Sequence, residues 1–388
     1  MESCNLKEMA LIFNRLDLKI YWLSVFLFAS QGLFAFFFDF KLPLSAFSVF
    51  LYPVFSTNRY YLKYKLYLIV IISAIIYLFI MSLFFPFYFE NLFFLRGVQL
   101  FVLLVLFLNT NDVLLKYGRY NFEKYANLSL FFILIGFYGT FLVKLLGYSI
   151  PWNIYEWNEN NIENSVENFF LPTGFETNVI SYTYSALPFV ILSLSSKEKW
   201  AKYLFFWGLI SFIIIGSRGA ILAVVLIYFR RVGLVKALGF LFILLFFLYL
   251  FFIIYPEFYF FEKLNLEVSD DTRVSGVFSI FLPALLQYPL GYVSNPTLFN
   301  GLLALNGGLG PHNILLTPWL ESGFFSAIIS LFFFFSALWY YVKNSVVAMP
   351  FFALTVYACF HNSYLLTGEM RMGIFLAFIY ANNILYRR

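Results

Sequence analysis

Arg218 is the residue whose position in the sequence points most directly to chemistry. It lies in Gly216-Ser217-Arg218-Gly219, between two apolar segments. An arginine at membrane depth costs about 2.5–3.5 kcal/mol to insert, so it rarely lies there without a role. Its guanidinium group can hold a phosphate through two parallel hydrogen bonds, which lysine cannot imitate. An arginine at a helix end can also extend to the membrane surface, but the flanking glycines and serine favour a phosphate site.

His312 could act as a general base. It lies in Gly310-Pro311-His312-Asn313, at the start of an apolar segment that also contains Glu321 and Gly323. Proline is favourable just inside a helix start, which predicts that the helix begins at Pro311 with His312 in its first turn. The positive end of the helix dipole favours the neutral imidazole, the form that accepts a proton. A structural role as a polar cap is equally open for this residue.

Three further groups of polar residues are weaker candidates. Arg273 follows Asp270 and Asp271 closely, so it is either a second phosphate ligand or the ionic partner of these aspartates, and both alternatives stay open. His361-Asn362 repeats the His312-Asn313 pair, and Arg371 follows ten residues later. For His361 and Arg371, a structural cluster is favoured over a place beside the site.

The composition decides the class of protein that carries these residues. The chain has 388 residues, of which 62% are hydrophobic and 12% are charged. A soluble domain averages roughly 45–50% apolar and about 25% charged residues, which predicts an integral membrane protein here and excludes soluble classes, nucleic-acid binders included. Cys4 in the polar N-terminal tail and Cys359 in an apolar segment are not expected to pair. Two histidines without a cysteine cluster predict no transition-metal site.

The apolar runs predict an all-α, polytopic protein with about 12 transmembrane helices in a single membrane domain, 1–388. With the N-terminus inside, 18 of the 25 Lys and Arg residues fall in cytoplasmic segments and five fall outside. This positive-inside bias predicts that both termini are cytoplasmic. The twelve segments are about 20–38, 42–57, 66–88, 92–110, 126–147, 177–195, 200–216, 218–230, 234–255, 312–341, 346–366 and 372–386.

Two long loops are predicted on the outer side. The loop 148–176 contains five glutamates and neither Lys nor Arg, and the loop 256–311 contains Arg273 and the two aspartates. Long loops in compact proteins are usually functional or disordered. Within the second loop, the apolar run 277–286 is too short to span a membrane, so we expect an amphipathic helix that rests at the outer interface.

The order and spacing of these residues resemble the O-antigen polymerase and O-antigen ligase superfamily, whose members are multi-span bacterial glycosyltransferases of the C-type architecture. The resemblance rests on Arg218-x-x-x-Leu222, on the stretch from Arg273 to Gln287-Tyr288-Pro289-Leu290-Gly291, and on His312 with ten residues before Gly323. It covers about 216–323, while the first half of the chain matches only in hydropathy. Family members often have a second glycine two residues after the first, whereas Tyr292-Val293 follows Gly291 here.

The resemblance implies a metal-independent glycosyl transfer at the periplasmic face of the bacterial inner membrane. The donor would be a sugar chain on undecaprenyl pyrophosphate, the acceptor a sugar hydroxyl, and no cofactor is implied. Arg218 and Arg273 would neutralise the departing pyrophosphate, and His312 would take the acceptor proton, with inversion at the anomeric carbon. The substrate-binding residues implied are Arg218, Arg273, Asn313, Glu321, Asp270, Asp271, His361 and Arg371. In a reserve hypothesis, Asp270 and Asp271 act as the base or bind a metal instead.

Within the family we favour a polymerase of lipopolysaccharide repeat units, because the idiosyncratic Phe-rich and Asn-rich sequence suits a protein tuned to one repeat unit. The alternative is an O-antigen ligase that transfers the polymer to lipid A core. Outside the family, a lipid-linked oligosaccharide flippase would be supported by Arg96 and Lys144 within spans, but the two halves of the chain look unlike. A structural membrane scaffold is the third functional hypothesis. The expected partners are lipid-linked repeat units as donor and acceptor, the lipid bilayer and, optionally, a chain-length regulator protein, with no nucleic acid.

Overall fold

All regular secondary structure in the described part of the chain is helical, which confirms the all-α prediction. The structure is a computed structural model. It describes residues 16–27, 48–55, 66–85, 92–148, 150, 172–175, 179–233, isolated helical positions between 235 and 253, 277–305, 311, 313–343, 348–359, 374 and 377.

The helices are numbered in chain order. They are α1 (16–27), α2 (Leu51–Phe55, after a 3₁₀ turn Ser48–Phe50), α3 (Leu66–Phe84), α4 (Leu92–Leu145), α5 (Val179–Ser195), α6 (Ala201–Ile214), α7 (Arg218–Val232), α8 (Leu282–Gln287, after a π turn Val277–Phe281), α9 (Pro296–Leu305, after a 3₁₀ turn Gly291–Ser294), α10 (Leu316–Ser322), α11 (Phe324–Val342) and α12 (Met349–Ala358).

Two of the described helices are long and apolar enough to cross a membrane, by length and composition. They are Phe93–Leu145 in α4 and Phe324–Val342 in α11. Shorter apolar helices of 10–17 residues form parts of α3, α5, α6, α9 and α12. These helices support membrane association, and the prediction of about twelve spans stays a prediction.

Helix α4 consists of two helices that meet at a kink at Gly118, whose φ of 77° and ψ of 166° are not helical. The kink lies within residues 111–125, which were predicted to connect the spans 92–110 and 126–147, and the residues on either side of it are helical. The connection also contributes buried apolar side chains, among them Val113, Leu114 and Phe122. Average hydropathy does not detect such apolar positions in a polar helical segment.

The predicted single helix over 312–341 is also divided. The structure contains α10 and α11, separated by Gly323 with φ 84° and ψ 172°. His312 lies outside the described residues, and the described helix begins at Leu316 and not at Pro311. The cause is Asn313, whose side-chain oxygen accepts hydrogen bonds from the backbone N–H groups of Leu315 and Leu316.

The apolar run 277–286 is helical, as predicted, although its first residues form a π turn and its last turn belongs to α8. Helix α9, which follows in the same predicted loop, was not predicted. These helices pack with α10 around a hydrophobic core that comprises Phe281, Ala284, Leu285, Tyr292, Phe299, Leu316, Trp319, Leu320 and Ala327. This part of the predicted outer loop is therefore a packed structure.

The chain divides into two compact units. The first comprises Met1–Lys63, Val105–Ser211 and Gly373–Arg388, and the second comprises Tyr64–Leu104 and Phe212–Met372. Buried hydroxyl groups join helices in the first unit: Tyr21 and Thr110 are hydrogen-bonded at 2.7 Å. The second unit contains all the predicted site residues.

Candidate functional site

Arg218 is the first residue of α7, directly after the turn that joins α6 to α7. Gly216 makes this turn with φ +62°. The turn is closed by backbone hydrogen bonds from Gly216 N to Ile213 O, 3.0 Å, and from Ser217 N to Phe212 O, 2.9 Å. Arg218 itself is half-buried. The turn predicted at this arginine is therefore present, and Arg218 lies at a defined helix start.

Ser217, the residue before Arg218, has a buried hydroxyl group. This Oγ has no hydrogen-bond partner within the part of the chain that the structure describes. A buried hydroxyl without a partner costs about 1–3 kcal/mol. It lies next to the arginine for which the sequence predicts a phosphate ligand, and a phosphate oxygen there would accept a hydrogen bond from it.

Helix α10 begins with a cap that Asn313 provides. Its Oδ1 accepts hydrogen bonds from Leu315 N at 2.8 Å and from Leu316 N at 3.3 Å. In return, Asn313 N donates to Thr317 Oγ1 at 3.2 Å, and Thr317 N donates to Asn313 O at 3.1 Å. The side-chain oxygen of Asn313 thus fixes the start of the helix, and its role in substrate binding stays a prediction.

The turn 288–291 packs against the other end of α10. Pro289 O accepts two hydrogen bonds, from Trp319 Nε1 at 3.0 Å and from Phe324 N at 2.8 Å. Gly291 has φ +71°, and a Cβ added there would lie 2.4 Å from both Trp319 O and Leu320 O. Only glycine fits this position, because backbone carbonyl groups cannot retreat as side chains can.

Tyr292, which follows Gly291 directly, is buried in this arrangement. Its hydroxyl donates a hydrogen bond of 2.7 Å to Asn300 Oδ1 on α9. Tyr292 therefore anchors the turn to α9.

The corner at Gly323 is fixed by a tyrosine from α3. Tyr77 Oη donates a hydrogen bond of 2.8 Å to Ser322 O, and its ring lies 4.9 Å from that of Phe325. Gly323 has φ +84°, and a Cβ there would lie 2.7 Å from the same hydroxyl. The last turn of α10 thus contacts both α3 and the turn 288–291.

Glu321 forms an ion pair with Arg96 on α4. Arg96 Nη2 lies 3.2 Å from Glu321 Oε2, and Arg96 Nη1 donates a hydrogen bond of 2.9 Å to Gln99 Oε1. The two charged side chains are 15% and 24% exposed. Glu321 was predicted as a substrate ligand, and here one of its oxygens binds an arginine that the sequence analysis treated only as an intramembrane cation.

The structure thus brings together residues that the sequence analysis did not connect, namely Tyr77, Arg96 and Gln99 with Glu321. The charges of Arg96 and Glu321 are the sequence feature that could have indicated this pair. Both residues lie in strongly apolar segments, where a charged side chain requires a partner. Lys144, the other cation predicted within a span, is buried in the last turn of α4 and lies in the first unit.

The remaining predicted site residues lie outside the described residues. These are His312, Arg273, Asp270, Asp271, His361 and Arg371. Within the described ranges, no three His, Cys, Asp or Glu side chains form a group that could hold a metal ion. No protein-family model, curated protein or solved structure matches the chain.

Proposed function

We propose that the protein is an O-antigen polymerase, a membrane glycosyltransferase that joins undecaprenyl-pyrophosphate-linked repeat units at the periplasmic face. One observation supports this proposal above the others. The two stretches that resemble the family, the run ending at Gly291 and the run from His312 to Gly323, meet through Pro289, Trp319 and Phe324. These two stretches are separated in the sequence but contact each other in the structure. Residues that share one site require such contact.

The proposal includes twelve spans, cytoplasmic termini and a location in the inner membrane. Contacts in the second unit support this topology. Arg230 Nη2 donates to Val342 O at 2.7 Å, and Tyr341 Oη donates to Leu226 O at 3.0 Å, so the C-terminal ends of α7 and α11 are neighbours. Both ends carry the basic residues expected at the cytoplasmic surface. Arg218 lies at the other end of α7, about 18 Å from Arg230 along the axis.

Contacts in the first unit support the same topology. Lys116 Nζ lies 2.7 Å from Asp17 Oδ2, and Tyr120 Oη donates to Glu198 Oε1 at 2.8 Å. The three segments that contain these residues were all predicted to lie at the cytoplasmic side. Their association is what a common membrane surface would produce.

In the proposed reaction, the acceptor sugar hydroxyl attacks the anomeric carbon of the donor repeat unit. The new C–O bond forms as the bond to pyrophosphate breaks, and the carbon inverts. Arg218 and Arg273 bind the pyrophosphate as its charge develops, and His312 takes the hydroxyl proton. The Ser217 hydroxyl donates to a phosphate oxygen beside Arg218. The leaving group is already a lipid pyrophosphate, so the reaction requires no nucleotide.

Lipopolysaccharide from a strain that lacks the gene tests the proposal. The strain is complemented with the wild type, His312→Ala, Arg218→Lys or the control Arg230→Lys, which is also an arginine of α7 but lies near its other end. We expect a single repeat unit on core without the gene, and a full ladder with the wild type and Arg230→Lys. The His312→Ala variant should give no ladder, and Arg218→Lys about tenfold less polymer, since lysine cannot form two parallel hydrogen bonds.

Two other results would refute the assignment. Bare core with long chains left on the polyprenyl carrier would identify a ligase. Bare core without any polymer at the outer leaflet would identify a transporter, and the proposed roles of Arg218 and His312 would fall with the polymerase.

A further inference from the structure

We propose that Arg96 and Glu321 are a pair of positioning residues that hold α10, whose start Asn313 caps, in place for glycosyl transfer. This inference rests on the proposed function for its effect on rate, and on geometry for the pair itself. The guanidinium and the carboxylate are 3.2 Å apart and less than a quarter exposed. Gln99, one turn further along α4, orients the guanidinium through its 2.9 Å hydrogen bond.

Helix α10 needs external support because it is short. It contains seven residues, and helices below about 12–15 residues are marginal on their own. Gly323 interrupts the helix at one end, and the Asn313 cap begins it at the other. The neighbouring helix α11 therefore cannot fix the direction of α10 through continuous backbone hydrogen bonds.

Three contacts from three elements meet on the last turn of α10. They are the hydrogen bond of Tyr77 to Ser322 O, the hydrogen bond of Trp319 Nε1 to Pro289 O and the Arg96–Glu321 ion pair. Together they fix one end of the helix. The other end carries Asn313 and, directly before it, the proposed general base.

A small change in the tilt of α10 at its fixed end would displace its other end, which begins at Asn313, by a large distance. Leu316 lies about 9 Å from Ser322 along the axis, so a tilt of about 10° moves it by about 1.5 Å. A general base must lie within about 2.6–3.2 Å of the atom that carries its proton. A misplacement of about 1 Å from a distant change can reduce a rate about 100-fold. The ion pair can thus control the rate without contacting substrate.

The test compares purified variants with a lipid-linked repeat unit extracted from the deletion strain as substrate. The variants are Arg96→Gln, Glu321→Gln, the double variant, Arg96→Lys and the charge exchange Arg96→Glu with Glu321→Arg. Arg119→Gln is the matched control, because Arg119 is also an arginine of α4 with a carboxylate partner, Glu123. Hydrogen exchange of the peptide 313–322 is measured on every variant.

We expect each neutral single variant to lower kcat about tenfold or more and to change KM less than about threefold, because position is lost and binding is kept. The double variant should be no slower than the slower single variant, since both changes remove one interaction. The Arg96→Lys variant and the charge exchange should recover most of the rate. Exchange in 313–322 should be at least about fivefold faster in Arg96→Gln than in the wild type, and unchanged in Arg119→Gln.

The outcomes separate this inference from the proposed function. If the wild type makes no polymer but Arg96→Gln still loosens 313–322, the polymerase assignment fails and the pair remains a support of α10. If polymer is made and exchange in 313–322 is unchanged in Arg96→Gln, the pair has no positioning role. A loss confined to KM would instead make Glu321 a substrate ligand, and multiplicative losses in the double variant would show two independent residues.

Discussion

Gly291→Ala is the substitution whose cost the structure defines best. The residue has φ +71°, and an added Cβ would lie 2.4 Å from two backbone carbonyl oxygens, those of Trp319 and Leu320. The left-handed conformation costs an L-residue about 1–2 kcal/mol. Forcing extra volume into a packed region adds about 1–3 kcal/mol. We therefore expect a loss of about 2–5 kcal/mol in the free energy of unfolding.

In a thermal melt of the detergent-purified protein, this loss should lower Tm by about 2.5–6 °C, because an entropy of unfolding of about 0.8 kcal/mol/K is expected for a chain of 388 residues. Gly301→Ala is the matched control, because Gly301 lies in α9 and an added Cβ there would have no atom within 4 Å. Alanine in a helix is more favourable than glycine by about 0.5–1 kcal/mol, so the control should melt at the wild-type temperature or slightly above it. If Gly291→Ala melts within about 1 °C of the wild type, the packing of the turn 288–291 on α10 is not as described.

Two further predictions concern packing in the first unit and topology. Gly208→Ala should lower Tm by several degrees, because its Cβ would lie 2.3 Å from Val190 Cγ2, and overpacking costs about 1–3 kcal/mol. Adding Val190→Ala should recover much of this loss, whereas Gly139→Ala, with no atom within 4 Å, should not lower Tm. In a chain without its native cysteines, a membrane-impermeant maleimide should label Thr297→Cys in intact spheroplasts and Lys199→Cys only after permeabilisation. The opposite pattern would invert the proposed topology.

The sequence predicts those parts of the fold that depend on neighbouring residues. The turn before Arg218 follows from Gly216, which lies between two apolar runs and has a positive φ. The helical run 277–286 follows from its apolar composition, although its continuation into α9 was not predicted. In both cases the residues that determine the structure lie within a few positions of one another, so hydropathy and turn chemistry suffice.

The residues at which helices start and break are determined by competing hydrogen bonds, which a hydropathy profile does not describe. Pro311 favours a helix start, but the Asn313 side chain binds the backbone N–H groups of Leu315 and Leu316, and the helix begins later. Gly323 lies inside an apolar run and still ends a helix, because Tyr77 and Pro289 bind the groups on either side of it. These partners are far from the break in the sequence.

The Arg96–Glu321 ion pair is the feature of the site that is hardest to predict from the sequence. The two residues are 225 positions apart, and each was interpreted alone, one as a membrane cation and the other as a substrate ligand. A cost of insertion indicates that each charge needs a partner, but it does not identify the partner. Only the packing of α10 beside the start of α4 does so.

Stability alone does not explain why charges hold α10, and this leads to a last prediction. Replacing a buried ion pair by apolar residues of similar volume is often neutral or stabilising by about 1–4 kcal/mol. Arg96→Met with Glu321→Leu should therefore melt at or above the wild-type temperature. Apolar side chains lack the directionality that fixes a single helix orientation, so the same double variant should make about tenfold less polymer or worse. Full activity in a stable Met/Leu variant would show that contact alone positions α10 and that the charges serve another purpose.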